Sequence, residues 1–466
     1  MMKKFFINLL ILLTLILGGC RSAPYGTSVK GNVYNVERVE FLTDQTYIRE
    51  DERVIDQEIL KRTLDIIQEA ENYVVIDMFL FNSLYPEEDT YPAITEKVIQ
   101  TLIEKKNEGV PIYFITDEVN SFYEIYEVEE FLALSDAGIP VIQTDMAEIK
   151  DSNITYSFLW RGIFRHFGTG EEGWMTNPFA AHGPKVNLRS YMKLFNLKAN
   201  HRKVIVADEK AVITSANFHD ASAYHSNIGF LVEGPVTAEI LKSEIITAGL
   251  SGFEIPIEIP QYSEEKRGSG DIEVRLLTEG MIGHKIVKLI DESHIGEELK
   301  IGIFYLGDRP IAKAIKRAAR RGVKTYIVMD SNVEAFGRSK DGIPNRQVAW
   351  ELLEKGKGNI QVRWYNTSGE QYHAKFIIKN NKDYMTIIGG SANFTKRNLY
   401  GYNFETNLQI KAPIKDEFSL EVNEYFDNMW NNVGGEFTLP YEERADESYL
   451  KYYFYRLQEF TGISSF

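Results

Sequence analysis

Asn200-His201-Arg202-Lys203-Val204-Ile205-Val206-Ala207-Asp208, followed by Val212-Ile213-Thr214-Ser215-Ala216-Asn217-Phe218, is one member of a pair. The second member reads His373-Ala374-Lys375-Phe376-Ile377-Ile378-Lys379-Asn380, then Ile387-Ile388-Gly389-Gly390-Ser391-Ala392-Asn393-Phe394. Each opens with His-x-Lys, runs into apolar and β-branched residues, and after a turn delivers Ser-x-Asn. From His to Ser is 14 residues in the first copy and 18 in the second, the difference being a turn insertion around Asn380-Asn381-Lys382. Residues two apart on a strand share a face, so each imidazole projects with its ammonium, and each hydroxyl with its carboxamide.

A larger repeat frames the pair. Val74 to Leu80 has the pattern of a buried strand, Ile94 to Glu108 has helical spacing with Val98 and Leu102 apolar, and Ile112 to Thr116 is a second strand ending at Asp117. The same order returns as Leu299 to Leu306, Ile311 to Arg321 and Thr325 to Met329, ending at Asp330. Strand, helix, strand with short connections indicates parallel βαβ units and an α/β fold. If the halves dock symmetrically, one cleft holds two His, two Lys, two Ser and two Asn. Two imidazoles supply a nucleophile and a separate general acid. Two ammonium groups and two amides suit a phosphodiester whose oxygens gain charge in the transition state, so neither a metal nor another cofactor is required.

The twin His-x-Lys segments, each followed by Ser-x-Asn, resemble the HKD signature of the phospholipase D superfamily, and the order of elements fits from about Tyr47 to about Trp430. The resemblance implies two similar halves, each a mixed β-sheet flanked by helices, related by pseudo-twofold symmetry. It also implies a covalent phosphohistidine intermediate resolved by water or by an alcohol. Carried over residue by residue, the catalytic set is His201, Lys203, Asp208, His373 and Lys375. Ser215, Asn217, Ser391, Asn393 and Glu405 then bind or support the phosphate. Two departures stand out. The family's Asp is present as Asp208 but replaced by Asn380 in the second half. Glu405, in Phe404-Glu405-Thr406-Asn407, fits the family's Glu, whereas Tyr224-His225-Ser226-Asn227 sets His225 at the matching place.

Other candidates carry less. His166, His182, His219, His284 and His294 show no metal-ligand spacing and read as surface or loop residues. Asp117 and Asp330 read as turn or helix-cap residues.

Lys3 and Lys4 precede an apolar run from Phe5 to Leu17, too short for a comfortable membrane span and of signal-peptide length. It ends in Leu17-Gly18-Gly19-Cys20, which resembles the bacterial lipobox, so acylation of Cys20 is expected. Cys20 is the only cysteine, which leaves no disulfide and no catalytic thiol. The expected division is a signal peptide at 1–19, a flexible tether at 20–38 and a first half at 39–255. A linker at 256–270 and a second half at 271–466 follow. The protein is expected as a monomer, lipid-anchored on the extracytoplasmic side of the cell membrane.

From Asp117 to His201 is 84 residues, against 43 from Asp330 to His373, so about 41 residues are extra in the first half, within an insertion at about 145–198. It interleaves Trp160, Phe164, Trp174 and Phe179 with Arg161, Arg165, Lys185 and Arg189. Such a segment either meets the headgroup region of a bilayer or folds back as a lid. The net charge of −15 argues against nucleic acid as partner, because backbone binders carry a basic footprint. Phospholipid headgroup chemistry, hydrolysis or phosphatidyl transfer of the cardiolipin-synthase kind, is the leading reading. An extracellular nuclease of the same superfamily and a non-catalytic envelope binding protein are the alternatives.

Overall fold

The computed structural model describes residues 24–462 apart from 86–90, 169–171, 180–182, 262–267, 269 and 336–337. Cys20, the signal segment and His182 lie outside the described residues. In the first half, β2 (Val39–Arg49) and β3 (Glu52–Gln57) follow a short β1 (Tyr34–Val36). Then come β4 (Val74–Met78), β5 (Ile112–Asp117), β6 (Val141–Thr144), β7 (Lys203–Ala207), β8 (Lys210–Thr214) and β9 (Asn227–Glu233). The second half contributes β10 (Ile272–Thr278), β11 (Glu298–Ile303), β12 (Lys324–Met329), a two-residue hairpin β13–β14 (Glu334–Ala335, Arg338–Ser339) and β15 (Ile360–Tyr365). It ends with β16 (Lys375–Asn380), β17 (Tyr384–Gly390), β18 (Thr406–Pro413) and β19 (Thr438–Pro440).

These strands make two mixed sheets. The first runs β3-β2-β9-β8-β7-β4-β5-β6 and the second β1-β10-β18-β17-β16-β11-β12-β15-β19. Without β1, β3 and β19 the two orders correspond strand for strand. The directions correspond too, since β4, β5 and β6 are parallel, as are β11, β12 and β15, while the remaining neighbours are antiparallel. The doubled βαβ pattern of the sequence is therefore a doubled sheet.

Strand periodicity decides which way each sheet faces. On β7, Val204 and Val206 join a core shared with Phe376 and Ile378 of β16. Ile205 and Ala207 turn the other way, onto the outer helices Ile59–Glu69 and Ile94–Asn107. Ile377 does the same in the second half, packing with Ile311, Ile315 and Ala318 of the helix Arg309–Arg320. The sheets thus pack face to face, helices cover their outer faces, and the ends of β7 and β16 meet between the halves. Among the described residues no helix is long and apolar enough to cross a membrane.

The expected flexible tether is corrected in part. Lys30 bridges Leu277, Tyr34–Val36 pairs with Ile272–Val274, and Gly31 N donates to Leu276 O at 2.9 Å. Residues 27–36 therefore lie along the free edge of β10. An edge strand offers unpaired backbone groups to any extended segment within reach, and this N-terminal stretch takes them across the boundary between halves.

Candidate active site

Each His-x-Lys enters its strand through an equivalent arrangement. His201 N donates to Phe404 O at 3.0 Å, and His373 N donates to Ser226 O at 2.8 Å, so each histidine backbone is held by the opposite half. The residue before each histidine is held by its own half. Asp117 Oδ2 accepts from Asn200 N at 2.6 Å, and Asp330 Oδ2 accepts from Tyr372 N at 2.9 Å. Their other oxygens take Val119 N at 2.8 Å and Asn332 N at 2.6 Å. Asp117 and Asp330 do cap turns, as expected, but they also fix where the two His-x-Lys strands begin. Both are buried, and burial lifts their carboxyls to about 7 and about 6 respectively.

The imidazoles are nearly closed off from solvent, and their Nδ1 atoms are spoken for. His201 Nδ1 lies 2.9 Å from Glu405 Oε1. His373 Nδ1 lies 3.1 Å from Asn227 Oδ1. Glu405 also accepts from Ser391 Oγ and Asn398 Nδ2. Asn227 Oδ1 accepts from Ser215 Oγ at 3.1 Å, while its Nδ2 donates to Asp44 Oδ2 at 3.3 Å and His225 O at 3.1 Å. That pattern orients the amide with oxygen toward His373. Both imidazoles therefore carry hydrogen on Nδ1 and keep the Nε2 lone pair for the cleft. Ser215 and Ser391 brace these acceptors.

The residue equivalent to Glu405 is Asn227, which corrects the expected match with His225. Strand pairing settles it: Ser215 N donates to Ile228 O at 2.9 Å and Ser391 N to Thr406 O at 3.0 Å. The preceding residues are Asn227 and Glu405. His225 instead lies beside His373, ring centroids 5.9 Å apart, with its Nδ1 accepting from Gln371 N at 3.3 Å.

The two lysines are fully buried and sit against aromatic faces. Lys203 Nζ is 4.9 Å from the Phe79 ring and Lys375 Nζ is 5.5 Å from that of Phe304. Those rings also pack on the histidines, Phe79 on His201 at 4.7 Å and Phe304 on His373 at 5.1 Å. Lys203 Nζ donates to His201 O at 2.8 Å, and Lys375 Nζ to His373 O. Phe79 and Phe304 follow the equivalent strands β4 and β11, a match visible once the halves are aligned but not drawn from sequence. Arg397 is a further cation that was missed; its charge is felt by Glu405, Tyr305 and Tyr123.

Electrostatically the site gathers basic groups whose burial opposes their charging. Burial pushes Lys203 down to about 7, against the pull of Glu405, Asp77 and Asp117. Lys375 is driven well below its usual range by burial and by Lys203. Burial also takes His201 down to about 4, with Glu405 opposing. His373 goes well below its usual range through burial, Lys375, His225, Lys203 and His201. Burial alone would raise Glu405, but His201 and Lys203 outweigh it and hold the carboxylate ionised. Oδ1 of Asn217 and of Asn393 are buried and have no hydrogen-bond partner among the described residues.

Asp208 does not belong to this cluster, and the expected catalytic role is corrected. It sits beyond the far end of β7, roughly 17 Å from Lys203 at the strand rise of about 3.3 Å per residue. Its carboxylate accepts from Glu71 N at 2.7 Å and from Asn72 N and Tyr73 N at 3.0 Å each. Asn380, at the equivalent place, bonds Asn423 at 2.6 Å. The Asp-to-Asn departure therefore leaves the cleft untouched. A cavity of about 820 Å³ beside Asp208 and Lys210 lies at this far end, away from the histidines. His219 is a loop residue as expected but buried, its Nδ1 2.9 Å from Ser222 Oγ. Among the described residues no group of three or more His, Cys, Asp or Glu is placed to hold a metal.

Residues 286–430 match the family model described as cardiolipin synthase, phospholipase D-like domain. No curated protein sequence matches the chain. Among solved structures, phosphatidylserine synthase of Haemophilus influenzae Rd KW20 is similar over 92% of this chain and 96% of its own, with TM-score 0.56 and 12% identity. Polyphosphate kinase of Porphyromonas gingivalis aligns over 91% of this chain and 53% of its own, with TM-score 0.48 and 11% identity. A phospholipase D family member from Salmonella typhimurium, Nuc, aligns over 36% of this chain and 99% of its own, with TM-score 0.28 and 20% identity. The second half thus matches the phospholipase D-like domain family, and the chain as a whole shares the fold of a phosphatidylserine synthase.

Proposed function

We propose that the protein is a phosphodiesterase of the phospholipase D type acting on phospholipid headgroups, by hydrolysis or by phosphatidyl transfer. The observation that carries this reading is the convergence of His201 and His373, each held at Nδ1 by the opposite half, with the buried Lys203 and Lys375. One Nε2 attacks phosphorus and a P–N bond forms as the P–O bond to the headgroup breaks. The other histidine, protonated on Nε2 as well when the anionic phosphodiester is bound, delivers that proton to the departing oxygen. Water or an acceptor alcohol then gives its proton back to that histidine and attacks phosphorus, breaking the P–N bond. Lys203, Lys375 and the amides of Asn217 and Asn393 hold the non-bridging oxygens throughout. Glu405 supports positive charge on His201, and the neutral Asn227 gives His373 no such support.

Acylation of Cys20, with the protein held at the outer face of the membrane, is part of the same proposal and supplies the substrate surface. Purified full chain is incubated in excess chelator with phosphatidylglycerol vesicles and separately with plasmid DNA. Release of headgroup or formation of a transfer product supports the reading. DNA cleavage with intact lipid, or activity that only a divalent ion restores, overturns it.

A further inference from the structure

The helix Tyr449–Thr461 has two apolar faces, and the body of the protein covers only one of them. Tyr452, Tyr455 and Glu459 face inward. Tyr455 Oη donates to Gly307 O at 2.6 Å, and Arg309 Nη1 donates to Tyr455 Oη at 3.2 Å. Leu450, Tyr453, Phe454, Leu457 and Phe460 recur at helical spacing on the opposite side. Leu450 is 81% exposed and Phe460 84%. A large apolar stripe directed to solvent marks an interaction surface.

Three observations identify what the stripe meets. First, the helix stands on the site's side of the second half. Gly307 follows β11, and in the approach to the helix Arg444 bonds Ser331 Oγ at 2.9 Å and Thr367 Oγ1 at 3.1 Å, in the loops after β12 and β15. His373 enters β16 from the same end. Second, the C-terminal end of the helix adjoins the insertion. Gly462 packs against Ser152 O, at the start of the insertion, which exposes Phe167 at 67% and Trp174 at 71% along with Ile163 and Phe179. The insertion leaves the equivalent end of β6 and leads directly to His201. Third, the local charge is inverted. Residues 145–198 hold seven Lys and Arg against five Asp and Glu in a chain of net −15. A cavity of about 720 Å³ beside Trp160 is lined by Arg161, Arg165, Arg189 and Lys193 together with Glu118, Glu124, Asp145 and Glu148.

We infer that the outward stripe of Tyr449–Thr461 and the exposed aromatics of the insertion form one docking face for an anionic phospholipid bilayer, with both flanking the entrance to the His201–His373 site. Aromatic and leucine side chains enter the interface while neighbouring Lys and Arg stay at headgroup level. The inference deepens the lipid reading of the site and rests on it for the choice of a bilayer over a protein partner.

A fluorescent reporter tests the face in the full chain. Cys20→Ser removes the native thiol, and an environment-sensitive dye is attached at Leu457→Cys or at the control Glu71→Cys. Glu71 is exposed beside Asp208, at the opposite end of β7 from His201. On vesicles of phosphatidylglycerol and phosphatidylethanolamine the dye at 457 should brighten about twofold or more and be quenched by nitroxide lipids, as for a side chain entering the interface. The dye at 71 should not change. Equal responses at both positions, or none at 457, overturn the docking face, as does brightening at 457 produced by a protein partner and not by vesicles. The variant Leu450→Ser/Leu457→Ser/Phe460→Ser separates this from the catalytic reading. Its turnover of vesicle lipid should fall about tenfold while a short soluble phosphodiester is turned over within about twofold of the parent rate. Lipid entry at 457 with no turnover of either substrate by the parent sinks the catalytic reading and leaves the docking face standing. Equal loss on both substrates overturns the docking face, because the stripe would then support the fold.

Discussion

His201 and Glu405 are 204 residues apart in sequence and belong to different halves, yet His201 Nδ1 lies 2.9 Å from Glu405 Oε1. The corresponding pair, His373 and Asn227, crosses the boundary in the other direction at 3.1 Å. Neither half holds a complete histidine pair alone. The two crossings differ by one charge, and that charge is the main opposition to burial at His201.

Glu405→Gln keeps the shape and removes the charge. The His201 ring should become still harder to protonate, since the coulombic support that raises its proton affinity is gone. Turnover should fall roughly 10²-fold or more, the usual scale for loss of general acid–base assistance. A kcat within about twofold of the parent would mean that the carboxylate only anchors Ser391 and Asn398.

Anion affinity should depend on pH through Lys203. Burial depresses its amine to about 7, so it is charged below that pH and neutral above it. Inhibition by sulfate, whose own charge is constant over this range, should weaken by up to about tenfold per pH unit above 7 and level off below it. An inhibition constant flat between about pH 6 and 9 would contradict a cleft whose charge comes from Lys203.

Asp208→Ala should cost stability and spare the chemistry. Three backbone N–H groups lose their acceptor, but Glu71 and Asn72 are exposed and water replaces it, so about 1–2 kcal/mol is expected. Thermal melting and kcat measured on the same preparation check this. A large fall in kcat with unchanged melting would return Asp208 to the catalytic set.

Arg202→Met should be far more damaging. Arg202 is fully buried between Glu244 at 3.0 Å and Glu279, from the other half, at 2.6 Å. Its loss leaves two carboxylates buried without their cation, a change of about 3–5 kcal/mol when one partner of a buried pair is removed. Urea unfolding of parent and variant measures it.

The chemistry-bearing strands were legible because strand periodicity is strict: Val204 and Val206 against Ile205 and Ala207 could face only two ways. What escaped the sequence depended on pairing at a distance. Glu405 was matched to His225 because Ser226-Asn227 mimics Thr406-Asn407, whereas the register of β8 with β9 and β17 with β18 makes Asn227 the counterpart. Asp208 was placed in the cleft by motif, although the rise along β7 carries it to the far end. Residues 27–36 belong to a stretch that reads as tether from Ser22, Pro24, Gly26, Ser28 and Gly31, and nothing local shows that the edge of β10 is open to them. Likewise, no local pattern shows that only one face of the helix Tyr449–Thr461 finds a neighbour.

Assembly of one site from both halves is tested by His201→Ala and His373→Ala assayed side by side on a soluble phosphodiester. Each single variant should lose about 10²-fold or more of the parent rate while keeping its melting temperature, because one imidazole must attack and the other must protonate. If either variant retains more than about a tenth of the parent rate, the halves do not share a site.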